Sequence, residues 1–522
     1  MQWNNYQGKV YLVLNRWRGG RLLAKFKNDK LDKAQIESII NRYKISETKR
    51  EMTTAFRYYI GHHDILHRKR TVIGENGTLK EIDNIPNNKA VDNQYYKAVK
   101  QKVNYLLGKP LTFDTKNEKY QEQLQIIFDK KFHKMFKQLG EDVINYGIGW
   151  VYVSFDEDGK LLLQRITSSE VIPVWENYEL NKLRCAIRMY WTEEYTNKEV
   201  KDVEKVEVYY KDRVEHYTVS EENTSECNLI EDINHVKSYI VQKDNEEVVN
   251  IFGWDRVPLI PFKYNEKAIP LINRVKILQD KLNEMISDYL NNMQEDSRNT
   301  ILILKNYEGT DLGEFRHNLA SYGAVKVSSR DGYEGGVEVL NMQVNAQNYE
   351  TIIKILKKAI IENAMSYDGK DDRISGTPNQ MNIMSMYSDV DLDGDDMETE
   401  MQSSLDELLW FVNVYLANTN KGNYFNEDVR IIFNRDMIMN ESESIANCQK
   451  SLGILSNETI ISQHPWVSDV KKEIERIDNQ EKETEEDYGF NNNEEIDDRL
   501  NRYLNNNLDD NTSKIPKEEY RF

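Results

Sequence analysis

A stripe of apolar residues after Pro270 is the feature that most constrains the fold. These residues recur in steps of four and three, the heptad pattern of one helix face, and they are Leu271, Val275, Leu278, Leu282, Met285 and Tyr289. Pro270 suits the first turn of a helix. About 27 helical residues would extend about 40 Å. The pattern therefore predicts one long helix, and the mean hydropathy of −0.73 agrees with an elongated molecule that has much wet surface.

The segment that follows this helix predicts a small β unit and a return helix. Alternating apolar residues and Gly-rich links occupy about Asn299 to Val344. A second amphipathic helix follows, and its apolar side carries Tyr349, Ile352, Ile353, Leu356 and Ile360. The chain is thus expected to run out along one helix, form a β unit, and come back along another.

The flanking regions mix helices and strands, which predicts the α+β class. Upstream, we expect a helix from Lys89 to Gly108, a helix from Glu118 to Tyr146, a hairpin around the turn at 156–159, and an antiparallel meander. The meander strands are EVIPVWE, RCAIRMYW, KVEVYYK and VEHYTVS. Downstream, we expect a helix from Met381 to about Asn418 interrupted at Gly394, the strand VRIIFN, and helices at 441–455 and 468–480.

Length, charge and cysteine content exclude several classes of protein. A chain of 522 residues is too long for one compact core. Its three cysteines indicate neither a disulfide framework nor a zinc cluster. No apolar run reaches the roughly 20 residues that span a bilayer, and no secretion signal is evident. The net charge of −19 argues against tight DNA binding, although residues 1–50 carry +8 and residues 471–522 carry −7.

Catalytic and nucleotide-binding motifs are missing from the sequence. No Gly-Lys pair is followed by Ser or Thr in the spacing that cradles phosphates. Neither a GxSxG elbow nor a Cys-centred protease signature occurs. We therefore predict no enzymatic activity and no cofactor.

The best formal motif match is an EF-hand pattern, with its carboxylates at Asp389, Asp391, Asp393 and Glu400. Oxygen ligands at alternate positions and a final glutamate are what calcium requires. However, Asp396 stands where an aliphatic residue is usual, and the chain has no second loop. We favour a solvated acidic bend inside a long helix over a calcium site.

Two other clusters have both an ordinary and a functional interpretation. His63 and His67 beside His62 could clip a metal on one helix face, but a partly exposed helix face is favoured. The lysines of the return helix are either a solvated edge or, if many copies form a ring, a cationic channel lining. These lysines are Lys354, Lys357 and Lys358.

Several segments, in order, resemble the portal proteins of tailed double-stranded DNA phages, particularly those of siphophages with Gram-positive hosts. They are YLLGKPLTF at 105–113, NYGIGWVYVSFDEDG at 145–159, ITSSEVIPVWE at 166–176, RVPLIPFKYNE at 256–266, ILILKNY at 301–307 and SG at 375–376. The resemblance spans roughly residues 45 to 480.

This resemblance implies a portal fold in which a wing surrounds a two-helix stem that carries a small β clip, with a helical crown. The implied parts are a basic N-terminal arm and first helix at 1–50, the wing at 51–267, stem helices at 268–297 and 346–367, the clip at 298–345, a tunnel loop at 368–380, a long bent helix and wing strand at 381–439, the crown at 440–480, and an acidic disordered tail at 481–522.

The implied function is a ring of about twelve subunits through which DNA is packaged and ejected. Implied partners are double-stranded DNA without sequence specificity, the terminase large subunit, a head-completion or adaptor protein, and the major capsid and scaffolding proteins, with no membrane. The ring would occupy the capsid portal vertex of the virion, after assembly in the host cytoplasm. The lysines above would line the channel with Lys370, Arg373 and Gly376, and Lys326 and Arg330 of the clip would dock partners.

Two alternatives stay open at this point. One is a metal-dependent phage nuclease that uses the carboxylates at Asp389, Asp391 and Asp393. The other is a different capsid or head–tail adaptor protein of the same particle.

Overall fold

The computed structural model describes residues 22–23, 30–73, 78–81, 85–156, 158–177, 180–195, 200–220, 227–244, 247–296, 301–305, 336–340, 346–369, 380–435, 441–467 and 470–488. These residues form a mixture of helices and strands, so the predicted α+β class is confirmed. The chain divides into two compact units. One contains residues 1–371 and 384–437, and the other contains 372–383 and 438–522.

Eight helices are described in or entering the first unit. They are α1 (Lys33–Lys44), α2 (Glu47–Tyr59), α3 (Gln94–Leu107), α4 (Glu118–Ile127), α5 (Lys130–Tyr146), α6 (Ile272–Asp296), α7 (Ala346–Asn363) and α8 (Gln380–Asn418). The single helix predicted at 118–146 is wrong, because α4 and α5 are separate. Asp129 caps α5 by accepting hydrogen bonds from the backbone N–H groups of Lys131 and Phe132, which restarts the helix.

The predicted meander is a six-stranded sheet. Its strands are β1 (Leu22–Leu23), β7 (Val171–Trp175), β8 (Leu183–Tyr195), β9 (Val200–Tyr209), β10 (Arg213–Val219) and β11 (Leu229–Ser238), in that spatial order. The strands from β7 to β11 pair antiparallel in sequence order, which confirms the meander. Apolar residues on one side of this sheet pack against α1, where Ile36 and Ile40 are fully buried.

The predicted hairpin is also present and forms part of a second sheet. β5 (Ile148–Phe155) pairs antiparallel with β6 (Leu161–Ile166) on one side and with β14 (Leu259–Lys263) on the other. The remaining strands form two-stranded pairs: β2 (Thr71–Ile73) with β3 (Leu79–Glu81), β4 (Thr112–Asp114) with β17 (Arg430–Ile432), β12 (Ile240–Asp244) with β13 (Glu247–Phe252), and β15 (Ile301–Lys305) with β16 (Gly336–Leu340).

The start of α6 is fixed against the end of α5. Gly147 follows α5 in the left-handed conformation, with φ of +79°, and a Cβ there would lie 2.3 Å from the carbonyl oxygen of Ala268. The backbone N–H of Leu271 donates to the carbonyl of Ile144 at 3.1 Å. A side chain at position 147 would therefore push α6 away from the core.

The expected interruption of α8 at Gly394 is wrong, since the helix continues from Gln380 to Asn418. A Cβ at Gly394 would lie only 3.3 Å from a ring carbon of Tyr105. A glycine inside a helix costs only about 1 kcal/mol relative to alanine, and this one allows α3 to approach closely.

The second unit contains α9 (Glu441–Lys450), α10 (Asn457–Ser462) and α11 (Val470–Tyr488). Ser456 caps α10 by accepting a hydrogen bond from the backbone N–H of Thr459. α11 continues past the expected end at Gln480 to Tyr488. Among the described residues of the whole chain, no helix is both long enough and apolar enough to cross a membrane.

Candidate functional site: a helix pair and its anchors

Helices α6 and α7 form an antiparallel pair. Near one end, Asn292 donates a hydrogen bond to the Tyr349 hydroxyl at 2.7 Å, and the rings of Tyr289 and Tyr349 lie 5.2 Å apart. Near the other end, the Arg274 guanidinium lies 3.5 Å from the sulfur of Met365. The 25 residues of α6 extend about 37 Å.

A buried polar row on α6 accompanies the apolar stripe that the sequence revealed. Its members are spaced by four residues, and each is at most 1% exposed: Gln279, Asn283, Ser287 and Asn291. Because buried polar groups need hydrogen-bond partners, the row requires a second polar surface along its whole length. The four-residue spacing of these polar residues is visible in the sequence and would have predicted the row, but the apolar stripe alone does not reveal it.

The backbone of the segment that leads into α3 supplies that surface. Alternate backbone N–H groups donate to successive side chains of the row at 2.7 to 3.0 Å. In order, these pairs are Asn88 with Asn291, Ala90 with Ser287, Asp92 with Asn283, and Gln94 with Gln279. Two extended residues span about 6.6 Å and four helical residues about 6.0 Å, so the two repeats match over this length.

His63 extends the buried polar contacts of α6. Its Nδ1 accepts a hydrogen bond from Asn283 at 2.8 Å, its Nε2 donates to the carbonyl of Tyr58 at 3.1 Å, and its ring stacks on Tyr58. Burial lowers the pKa of His63 below its usual value. The expected partly exposed helix face is therefore wrong for this residue, which is fully buried.

The end of α7 is held by α3. Gln101 donates to the carbonyl of Tyr367 at 3.0 Å and accepts from the Ser366 hydroxyl at 2.7 Å. Lys102 donates to the carbonyl of Met365 at 2.9 Å, where the backbone φ is +50°. These bonds fix the chain as it leaves the helix pair.

Lys102 also belongs to a buried cluster centred on Asp393 of α8. The Asp393 carboxylate lies 2.6 Å from Lys102 Nζ, 2.7 Å from Arg274 Nη1 of α6, and 2.5 Å from the Tyr264 hydroxyl. Burial alone would raise the pKa of Asp393, but Lys102, Tyr264 and Arg274 outweigh that effect and lower it. One carboxylate thus joins α3, α6 and α8.

The EF-hand pattern does not form a calcium loop here. Its residues lie within the continuous helix α8, where alternate residues project from different sides and cannot converge on one ion. Asp391 pairs with Arg435 and the Tyr105 hydroxyl, and Glu400 pairs with Lys263 at 2.7 Å. The description of a solvated acidic bend is also wrong for Asp393, which is 4% exposed.

The three predicted channel lysines of α7 are not equivalent. Lys354 and Lys358 have side chains 73% and 79% exposed, and their ammonium groups lie 2.6 Å from Glu350 and 3.8 Å from Glu362, respectively. Lys357 turns inward and pairs with Asp92 at 2.7 Å. Lys354 and Lys358 therefore face outward, whereas Lys357 connects α7 to the segment that packs on α6.

Five other candidate residues lie outside the described residues. They are Lys326 and Arg330 of the predicted clip, and Lys370, Arg373 and Gly376 of the predicted tunnel loop. Their roles stay predictions.

Several apolar side chains of the helix pair are exposed. Ile277 of α6 is 77% exposed and Ile355 of α7 is 60% exposed. Further exposed apolar residues of the pair are Leu290, Met293 and Ile352. These side chains are candidates for contacts with another subunit.

Comparison with known proteins identifies the family. Residues 40–487 match the family described as phage portal protein, SPP1 Gp6-like. The portal protein of Bacillus phage SPP1 is 26% identical over 429 residues, which cover 81% of this chain and 82% of the relative. The portal protein of Clostridium phage phiCD119 is 25% identical over 447 residues, which cover 83% and 93%.

Two solved structures resemble the chain more distantly. The neck of an empty GTA particle, computed with C6 symmetry, has a TM-score of 0.35 at 11% identity and covers 78% of this chain and 92% of its own. The neck of a native GTA particle, computed with C12 symmetry, has a TM-score of 0.30 at 9% identity and covers 70% and 87%. TM-scores this low support no conclusion about the present fold. The family match, in contrast, spans most of the sequence, and the chain belongs to the SPP1 Gp6-like family of phage portal proteins.

Proposed function

We propose that this protein is a portal ring subunit that forms the channel for DNA packaging into the capsid and ejection from it. The ring would contain about twelve subunits, stand at the portal vertex of the virion, and assemble in the host cytoplasm. Family membership supports this function, and the two portal relatives support the phage setting.

Exposed apolar side chains on both helices of the pair support assembly into a ring most directly. A single subunit leaves Ile277 and Ile355 in water, at a cost of about 25 cal/mol for each Å² of apolar area left unburied. A ring of identical subunits would place the α6 surface of one against the α7 surface of the next. Such head-to-tail contacts close into a ring when the rotation between neighbours permits.

The charges of the protein suit weak contact with passing DNA. A net charge of −19 per subunit repels phosphate, while Lys354 and Lys358 each stand next to a glutamate and keep only part of their attraction for an anion. Contacts between exposed charges are screened within about 8 to 10 Å at physiological salt. DNA of any sequence could then slide without being held.

We assign the parts of the chain to the portal architecture as follows. The wing is 51–267, the stem helices lie in 268–297 and 346–367, the clip is 298–345, the tunnel loop is 368–380, the long helix and wing strand are 381–439, and the crown is 440–480. The β15–β16 pair lies in the chain between the antiparallel helices α6 and α7, and this order supports the stem and clip assignments. Terminase and head-completion proteins would dock on the clip, and capsid and scaffolding proteins would surround the ring.

The nuclease alternative has no support among the described residues. The carboxylates that it would need are bound by basic side chains, as Asp391 is by Arg435 and Asp393 by Lys102. No group of three or more potential metal ligands occurs in the described part of the chain. We therefore propose a non-enzymatic role, in which a partner ATPase supplies the energy for DNA movement.

Negative-stain microscopy of the purified protein tests the ring directly. We expect ring-shaped particles with a central channel, and we expect Ile355→Asp to yield subunits that do not assemble, because a charge would be buried at the interface. Ile126→Asp on α4 is the matched control, since Ile126 is 66% exposed but lies off the helix pair. Wild-type protein that never forms rings would contradict the function, and normal rings from Ile355→Asp would contradict only the interface.

A further inference from the structure

A cavity of about 770 Å³ lies between the two main sheets of the first unit, away from the helix pair. One wall is formed by β5 and β6, with Tyr152, Gln164 and Arg165. The opposite wall is formed by β8 to β11 of the six-stranded sheet. Its volume is within the range of sites that enclose small organic ligands, about 300 to 1,000 Å³.

Glu207 is the one carboxylate among the described residues that line this cavity. Glu207 lies between Arg188 and His216 on the neighbouring strands. It accepts hydrogen bonds from the hydroxyls of Tyr190 and Tyr209, and Arg188 Nη1 lies 3.6 Å away. This carboxylate is therefore already engaged by protein donors.

Several donors around the cavity have spare capacity. Arg165 carries five N–H donors, and among the described residues it bonds only to Asp142, through Nη1 at 2.6 Å. Lys237 has no acceptor among the same residues. These two cationic side chains give the cavity an excess of hydrogen-bond donors.

Aromatic residues complete the lining. Tyr152 and Tyr209 meet edge to face at 5.1 Å, and Phe155 stacks on Trp254 at 5.5 Å. An inorganic anion would leave most of this volume and all of this aromatic surface unused. A carboxylate, in contrast, accepts N–H bonds from arginine in a planar fork, while an attached apolar body can pack on the rings.

We propose that this cavity is a binding site for an organic carboxylate, with Arg165 and Lys237 holding the anionic group and the partly exposed rings of Tyr152 and Phe155 packing on its apolar body. The carboxylate belongs either to a free small acid or to an acidic side chain of a protein segment that reaches the wing. The site is independent of the proposed DNA channel.

Calorimetric titration of the full-length protein tests the site with three probes. Benzoate represents a free acid, a blocked Glu-Tyr-Glu tripeptide represents a protein segment, and inorganic phosphate is the control anion. We expect at least one organic acid to bind more tightly than phosphate. Removing a charged hydrogen-bond donor should weaken binding about tenfold or more, so Arg165→Gln and Lys237→Gln should both show this loss.

Lys160→Gln is the matched control, because Lys160 lies in the turn between β5 and β6 and pairs with Asp158 outside the cavity. Lys237 is exposed, so its variant should fold even if Arg165→Gln does not. Binding of the tripeptide at least as tight as that of benzoate identifies a protein segment as the source, and binding of benzoate alone identifies a small acid. Failure of both organic probes, equal binding of phosphate, or an equal loss in Lys160→Gln would overturn the proposal.

Discussion

Helices α6 and α7 belong to one antiparallel pair but are integrated into the protein very differently. α6 buries four polar and several apolar side chains against its own subunit, including Gln279 and Leu282 at 0% exposure. α7 has one buried residue, Ile360, among its 18. The partly buried Ile353 and Leu356 also pack against the core, and further ties are the hydrogen bonds near its two ends and the Lys357–Asp92 ion pair.

This difference shows how one subunit can be rigid and still available for assembly. Buried polar side chains hold α6 in a single register, because any slip would leave several donors and acceptors unpaired at about 1 to 3 kcal/mol each. α7 has no such row of buried polar side chains to keep paired, so its exposed surface is available to bind partners. If α6 is the fixed helix and α7 the available one, substitutions on α6 should affect stability more than substitutions on α7.

The largest effect is expected at the Asp393 cluster that fixes the base of α6. Asp393→Ala leaves Lys102, 3% exposed, without its counter-ion, and should lower the free energy of unfolding by about 3 to 5 kcal/mol. Asp396 belongs to the same acidic stretch but is exposed, so Asp396→Ala should change the free energy of unfolding by less than about 0.5 kcal/mol. Urea denaturation measures both variants. Combining Asp393→Leu with Lys102→Met should recover part of the loss. Equal destabilisation by Asp393→Ala and Asp396→Ala would contradict the role of the Asp393 cluster in fixing α6.

The next effect concerns the polar row of α6. Gln279→Leu removes the acceptor for the backbone N–H groups of Gln94 and Tyr95 and should cost about 2 kcal/mol or more. Gln347→Leu makes the same change on α7, where the side chain is exposed, and should cost less than about 0.5 kcal/mol. Thermal unfolding measures the stability of both variants. Equal losses of stability would contradict the difference proposed between α6 and α7.

Acidification should lower the free energy of unfolding through His63, which bonds to Asn283 of α6. The depressed pKa of His63 means that the unfolded chain binds a proton first as the pH falls through about 6.5. Stability is then lost progressively below that pH, until the folded-state pKa is also passed. Between pH 7.5 and pH 5, the free energy of unfolding should fall less steeply in His63→Gln than in the wild type. His67→Gln, at an exposed position, should keep the wild-type slope, and an identical slope in all three proteins would contradict the role of His63.

The smallest effect on stability is expected at the outward lysines of α7. Lys354→Ala combined with Lys358→Ala removes only exposed charges, so rings should form normally while packaged DNA becomes shorter or is retained less well. Lys357→Ala breaks the pair with Asp92 and should instead lower stability slightly with no packaging defect of its own. A packaging assay in which Lys357→Ala has the stronger defect would reverse this assignment.

Local patterns predicted much of the secondary structure. The heptad stripe from Leu271 identified α6, and alternation around the turn at 156–159 identified the β5–β6 hairpin. The split between α4 and α5 was missed, because the apolar spacing continues through Asp129 while the capping side chain interrupts the backbone. The continuity of α8 through Gly394 was missed for the opposite reason, since packing against Tyr105 outweighs a weak local preference.

The sequence by itself determined the order of helices and strands, the antiparallel meander and the resemblance to portal proteins, because periodicity and turn residues act over a few neighbouring positions. Only the tertiary structure decided which charges are buried and which face outward. Lys102 and Asp393 are 291 residues apart in the chain yet form one buried pair. Lys357 pairs with Asp92, a residue far upstream, whereas Lys354 pairs with Glu350 on its own helix. Electrostatic environment depends on distances in space and on exclusion of water, and neither quantity can be read from the spacing of residues along the chain.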